Sequence, residues 1–117
     1  MKNQNFLKRV SFSLQGLSSA WQTERSFRDQ LVITFLVIVA LAILKASALW
    51  WAIHFLVIGA TLAAELINTS LEYILDLLHP DFHPQIGRAK DCAAAAVLVL
   101  SCSAIVIFIF FLCDRLL

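Results

Sequence analysis

Apolar side chains recur at Phe6, Val10, Leu14, Leu17 and Trp21, in steps of three and four, with Lys8, Arg9, Gln15 and Ser18 between them. That period predicts an amphipathic helix over residues 4–23 that lies in a membrane interface, with Trp21 at headgroup level. Ser26, with Asp29 three residues later, predicts a cap opening the next helix and leaves Glu24 at a bend near residues 23–26. The apolar run LVITFLVIVALAIL over residues 31–44 is shorter than the ~20 residues that a ~30 Å hydrocarbon core requires. Extended from Phe27 to Ala46, with Arg28 and Lys45 snorkelling to opposite surfaces, it becomes a first span over ~27–46. Ser47 can cap a second helix that meets no breaker before Pro80. This helix is predicted over ~48–78 and, at ~1.5 Å per residue, outruns the bilayer into the cytoplasm. Trp50 and Trp51 mark its outer interface, and His54 reads as an interfacial residue beside them. After the turn-rich HPDFHPQIG, a third span is predicted over ~88–113, and residues 92–113 carry no charge. The expected fold is an all-α integral membrane protein in one domain, residues 1–117: an N-terminal amphipathic surface helix plus three transmembrane helices.

Composition strengthens this reading, since 61% hydrophobic residues and 15% charged residues lie far from the globular norm. Charge adds direction. Lys2, Lys8, Arg9, Arg25 and Arg28 precede the first apolar run and Arg88 and Lys90 precede the last, whereas only Lys45 and Arg115 fall on the other side. The positive-inside rule then places the N-terminus and the 79–91 loop in the cytoplasm and the C-terminus outside. No secretory signal peptide is expected, because no small-residue cleavage site follows the first apolar run. Cys92, Cys102 and Cys113 have the spacing of neither a metal site nor a disulfide framework, and read as buried small hydrophobes. No nucleic-acid partner is expected.

One stretch breaks the apolar pattern. In AAELINTSLEYILD, residues 63–76, Glu65, Asn68, Glu72 and Asp76 fall within one narrow stripe of a helix, because offsets of 3, 7 and 11 are near-whole numbers of turns. Ionisable groups at membrane depth cost ~2.5 to 3.5 kcal/mol each on insertion scales, so such a stripe needs a partner, a metal or a water-filled site. Glu65 should lie in the inner half of the hydrocarbon, Glu72 at the cytoplasmic interface and Asp76 just beyond it.

The soluble nucleotide-enzyme signatures GxxxxGK[ST], GxGxxG and HExxH are absent, as is the kinase catalytic-loop pattern. Phosphoryl transfer without them still needs a divalent metal across the phosphates, a cation on the transferring group, and a base or positioner for the attacking hydroxyl. Glu24 and Glu72, both near the cytoplasmic interface, could share Mg2+, which favours a few carboxylates plus substrate phosphates. Lys90, with Asp91 at the same depth, could be the cation and Glu65 the base. Against this stands the plain alternative that Glu24, Asp76, Asp81 and Asp91 merely pair or are solvated.

AELINTSLE at residues 64–72 resembles the signature of the small integral-membrane lipid kinases of bacteria, the prokaryotic diacylglycerol kinase family. GRAKDCAAAAVLVL at 87–100 and GLSSAWQTERSFRDQ at 16–30 resemble its other two blocks. The resemblance covers essentially the whole chain. It implies an ATP-dependent lipid kinase of the bacterial cytoplasmic (inner) membrane, with Mg2+ as cofactor and ATP as phosphoryl donor. By position, Glu65 matches the catalytic base, Asn68 an active-site residue, and Glu24 and Glu72 the metal ligands. Nucleotide binding is implied for Glu24, Glu72, Asp81, Phe82, His83, Lys90 and Asp91. Lipid-substrate contact is implied for Glu65, Trp21, Ser26, Phe27 and Arg28. Where relatives carry an arginine and a tyrosine on the surface helix, this chain has Asn5 and Phe12, with Lys8 or Arg9 as substitutes for the arginine. The resemblance further implies a homotrimer with active sites at subunit interfaces. Physical reasoning points toward oligomerisation as well, since three thin helices cannot wall off a polar stripe on every side, and the small residues Ala93 to Ala96 permit close helix packing.

The expected acceptor is sn-1,2-diacylglycerol, giving phosphatidic acid, because GRAKD and the N-terminal block read closer to that branch; undecaprenol is the alternative. A small multidrug-type transporter also uses an intramembrane glutamate, but it would want four spans and a carboxylate well inside the first. Here residues 31–44 hold no ionisable group.

Overall fold

A computed structural model of the chain describes residues 5–117; Lys2, counted among the cations, and Gln4, where the surface helix was expected to start, lie outside the described residues. Among the described residues there are four α-helices in the order α1 (Phe6–Thr23), α2 (Arg25–Ile43), α3 (Ala48–Leu78) and α4 (Pro84–Leu116). The last three are long and apolar enough to cross a membrane, with mean hydropathies of 1.9, 1.6 and 2.9.

Helix α1 starts where Asn5 Oδ1 accepts the Lys8 backbone N–H at 2.9 Å, an N-cap that satisfies one orphan donor of the first turn. Its apolar Phe6, Leu14 and Trp21 are exposed, as a helix lying in an interface requires. The break to α2 is a single residue. Glu24 is extended (φ −115°, ψ 108°), its N–H bonds Ala20 O at 2.9 Å to close α1, and its C=O accepts from Arg28 N at 3.3 Å to open α2. The expected Ser26–Asp29 cap is therefore not formed: Ser26 lies inside α2, and Asp29 pairs instead with Arg25 at 3.8 Å on the surface. One extended residue already turns the chain.

Helix α2 ends at Ile43 rather than near 46, stopped by a Schellman motif in which Ala46 N bonds Leu41 O at 2.9 Å and Lys45 N bonds Ala42 O at 3.2 Å. Lys45 occupies the left-handed position at φ 54°, where glycine is usual. Helix α4 begins at Pro84, four residues before Arg88, because proline is preorganised for the first helical position and His83 caps it through Nδ1, which accepts from Gln85 N at 3.1 Å. The linker shrinks to residues 79–83. Cys92, Cys102 and Cys113, expected to be buried, are exposed along α4, whose apolar surface turns outward to lipid as well as toward α3. At its other end α4 runs on to Leu116, past residue 113. There Trp50 Nε1 donates to Asp114 Oδ2 at 3.0 Å and Arg115 Nε to Leu44 O at 2.5 Å, tying α4 to the α2–α3 turn.

The principal packing is between α3 and α4; of these two, α2 packs on α3 only, and α1 touches α2 and α3. Helices α2 and α4 are instead bridged by Gln30 Nε2 donating to Ser101 Oγ at 3.1 Å. Between lipid-immersed helices such contacts and close packing substitute for the release of water. The buried face of α3 is His54, Val57, Thr61, Glu65 and Thr69, a run of three- and four-residue steps of which four members are polar. His54, expected at the interface, is only 2% exposed. It packs edge-on to Phe108 and Phe111, with Nδ1 2.8 Å from Trp50 O, and the aromatic residues of α4 explain its burial.

Candidate active site

The stripe on α3 forms a gradient of exposure. Glu65 is 4% exposed, Asn68 and Glu72 are half-buried, and Asp76 is exposed. The single chain covers Glu65 and leaves Asn68, Glu72 and Asp76 more open. Cover comes where the α1–α2 junction meets α3, with Ala20 and Phe27 both buried and Ala20 facing Leu66 and Thr69 across a shared groove.

Asn68 Nδ2 donates to Glu72 Oε1 at 3.2 Å. This fixes the amide's orientation and leaves Asn68 Oδ1 buried without a donor. A buried acceptor lacking its hydrogen bond costs roughly 1–3 kcal/mol, which a bound hydroxyl would recover. Glu24 stands opposite Glu72. Burial pushes the Glu24 carboxyl above its ordinary value, the Glu72 charge pushes it the same way, and Arg28 pulls it back. The Glu24 side chain makes no capping bond, so its carboxylate is free. Arg28 is held across the bend by bonds from Nη1 to Trp21 O at 2.7 Å and Gln22 O at 3.3 Å.

Toward the linker, Lys90 Nζ pairs with Asp76 Oδ1 at 2.5 Å. Asp91 stays exposed, as do Asp81, Phe82 and His83, with Phe82 88% exposed. The linker is ordered locally by His79 Nδ1 on Asp81 O at 2.9 Å. The chain thus brings Glu24, Glu65, Asn68 and Glu72 together, sets Lys90 one turn beyond Glu72 through Asp76, and leaves residues 81–83 apart from them. Of the residues assigned to the lipid, Trp21 is 48% exposed, Ser26 is exposed, Arg28 is half-buried and Phe27 is buried at 3%.

Three neighbours escaped the sequence reading. Thr61 and Thr69 flank Glu65 at four-residue steps on the buried face, a spacing visible in the sequence. Tyr73, whose hydroxyl hydrogen-bonds Thr23 Oγ1, ties α3 to the end of α1, and no local pattern marks it.

Two facing carboxylates, of which Glu72 raises the proton affinity of Glu24, fit a hard divalent cation, which takes one or two carboxylates with waters and phosphates. Among the described residues no three His, Cys, Asp or Glu side chains form a ligand cluster, so the donor set suits an ion shared with a phosphate rather than a protein cage.

Spanning helices around a carboxylate stripe define a small all-α, multi-pass membrane protein with a polar site at one end of its spans. Residues 11–112 match the family model described as Prokaryotic diacylglycerol kinase. A diacylglycerol kinase of Helicobacter pylori is 35% identical over 79% of this chain and 72% of its own length. An undecaprenol kinase of Bacillus subtilis is 33% identical over 82% and 78%, and a diacylglycerol kinase of Escherichia coli K12 is 29% identical over 86% and 82%. The chain belongs to the prokaryotic diacylglycerol kinase family and is a lipid kinase.

Proposed function

We propose that the protein transfers the terminal phosphoryl group of ATP to the hydroxyl of a membrane lipid, diacylglycerol in the first place, at the Glu24–Glu65–Asn68–Glu72 site. The observation that supports this most directly is the gradient along α3, which offers a shielded carboxylate to a lipid alcohol and half-exposed carboxylates to a water-soluble donor. Glu65 accepts the proton of the attacking hydroxyl. Asn68 Oδ1, otherwise unpartnered, orients that hydroxyl. Glu24 and Glu72 would hold Mg2+, which when bound supplies neutralisation of phosphate charge. Lys90 exchanges Asp76 for a phosphate oxygen, a cheap exchange because an exposed pair contributes only about 0–1 kcal/mol. Asp81, Phe82, His83 and Asp91, exposed in and beside the linker, are proposed to close on the nucleotide, and Trp21, Ser26 and Arg28 to border the lipid headgroup.

The protein is further proposed to reside in the bacterial inner membrane with its N-terminus and linker in the cytoplasm, and to assemble as a homotrimer in which a neighbour covers the open side of Asn68 and Glu72. Undecaprenol is the second acceptor, favoured by the likeness to the Bacillus subtilis enzyme. Purified protein in mixed micelles with labelled ATP and Mg2+, offered diacylglycerol and undecaprenol side by side, tests this. Labelled phosphatidic acid is the expected product. Labelled undecaprenyl phosphate alone would transfer the assignment to the second acceptor, and no labelled lipid of either kind would overturn it.

A further inference from the structure

Each of the two carboxylates assigned to the cation has a chain neighbour that is hydrogen-bonded to the other's neighbour. Glu24 follows Thr23, Glu72 precedes Tyr73, and the Tyr73 hydroxyl bonds Thr23 Oγ1. The direction of that bond is fixed. Thr23 Oγ1 gives its one hydrogen to Ser19 O at 2.8 Å, so toward Tyr73 it can only accept, and Tyr73 is the donor.

The junction that carries Glu24 is already ordered within itself. Ala20 O accepts from Glu24 N at 2.9 Å, and Trp21 O and Gln22 O accept from Arg28 Nη1 at 2.7 and 3.3 Å. The carbonyls that a helix end commonly leaves without donors are thus bonded inside the junction. What these bonds leave open is where the junction sits along α3. Ala20 and Phe27, buried on either side of Glu24, press it there, but a methyl group and a ring on a helix surface carry no direction. Behind Ala20 the two helices part around an open groove of about 650 Å³ bordered by Ser13, Leu17, Ser70 and Tyr73. Among the described residues, the Tyr73–Thr23 bond is the one side-chain hydrogen bond between α3 and either α1 or α2. Unlike an apolar contact, a hydrogen bond weakens steeply as it leaves its preferred angle. It therefore sets the register.

We propose that Tyr73 is a positioning residue of the active site: through its bond to Thr23 it fixes the separation of the Glu24 and Glu72 carboxylates, and with it how tightly the pair holds a divalent cation. The proposal rests on the reading of Glu24 and Glu72 as cation ligands. Tyr73 itself touches neither ion nor substrate. The leverage comes from the ion, since Mg2+ demands near-ideal octahedral geometry with oxygens at ~2.0–2.1 Å, and a small displacement of one carboxylate is felt.

The test compares wild type with Tyr73→Phe, Thr23→Val, the double variant and Thr23→Ser, which keeps the hydroxyl. Tyr73 and Thr23 are exposed, so these changes strand no buried group and the variants should fold. Mn2+ binding to purified protein in micelles with a non-hydrolysable ATP analogue is read by electron paramagnetic resonance. Its Kd should rise about tenfold in Tyr73→Phe and in Thr23→Val, the lower end of what outer-shell partners contribute to metal affinity. The double variant should be no weaker than either single one, and Thr23→Ser should match wild type. In turnover, the Mg2+ concentration giving half the maximal rate should rise by the same factor while KM for the lipid is unchanged, a split that general loosening of the fold would not produce. Wild-type Mn2+ affinity in Tyr73→Phe overturns the proposal, as does additive weakening in the double variant. A further arm needs neither cation nor turnover. The chain has three glutamates, so in a Glu65→Gln background only Glu24 and Glu72 take up carboxyl-13C glutamate. Dipolar recoupling in bilayers, with labelled chains diluted into unlabelled protein, then reads their separation. It should lengthen or spread in Tyr73→Phe, and an unchanged separation overturns the proposal. Wild-type protein that bound no Mn2+ would sink the cation reading, while recoupling still decides whether Tyr73 sets the distance.

Discussion

At the scale of single residues, the site works by giving chemically identical carboxylates different surroundings. Glu65 and Glu72 are seven residues apart on one face of α3, yet the first is sealed under the α1–α2 junction and the second opens toward Glu24 and the linker. Replacing Glu65 by glutamine keeps its size and removes only its basicity, so turnover should fall about 10²- to 10⁴-fold while circular dichroism of the purified protein is unchanged. Near-normal turnover would dispose of the base assignment. Glu24 carries a second prediction. Its carboxyl binds a proton more tightly in the folded protein than in the unfolded chain, so its contribution to stability declines as pH rises from the ordinary carboxylate value through the raised one. In a carboxyl-carbon NMR titration Glu24 should titrate above an ordinary glutamate. Glu72→Gln should lower that midpoint only part of the way, because burial, the larger cause, is untouched. The stripe was legible in the sequence because a charge in an apolar run has no other excuse, whereas Glu24, in a polar stretch, was reached through the predicted bend and the family resemblance. The burial of His54 was not legible, since a histidine three residues after two tryptophans reads as interfacial until the aromatic face of α4 closes over it.

At the scale of elements, what the sequence concealed was how the helices begin and end. Periodicity identified every helix, because each has its own apolar run, but the boundaries depend on backbone geometry that side-chain patterns only suggest. Pro84 looks like a breaker and is instead the first residue of α4. Ser26 looks like a cap and is helical, because the neighbouring Glu24 already takes the extended conformation. The latter difference has a functional consequence, since a one-residue junction sets the Glu24 carboxylate over α3 and spends none of it on capping. The turn between α2 and α3 carries a cost that can be measured. Lys45 in the left-handed region pays roughly 1–2 kcal/mol that glycine avoids, offset in part by glycine's greater freedom in the unfolded chain. Lys45→Gly should therefore stabilise the protein by about 0.5–1 kcal/mol against detergent-induced unfolding, as followed by circular dichroism. Destabilisation would show that the lysine side chain, and not its backbone, decides that position.

At the scale of the whole molecule, the helices divide into a packed pair, α3 with α4, and an arm, α1 with α2, that leans on α3. The arm brings Glu24 to the site, so its attachment governs where that carboxylate lies. On the α4 side that attachment is polar: the Gln30–Ser101 bond near the site, and Arg115 on the Leu44 carbonyl at the far end. Helix packing inside a membrane gains nothing from expelling water, and single interhelical hydrogen bonds there average about 0.6 kcal/mol, up to about 1.7. A bond of that strength secures an arm without locking it. A double-mutant cycle on Gln30→Ala and Ser101→Ala should give a coupling energy in that range, because the two side chains share one bond and, among the described residues, neither bonds another side chain. Amide exchange in Gln30→Ala should quicken along α2 while that of α4, still packed on α3, is unchanged. Equal quickening in both helices would mean that α2, α3 and α4 open as one unit, and that Glu24 is placed over the site by the whole bundle rather than by a separable arm.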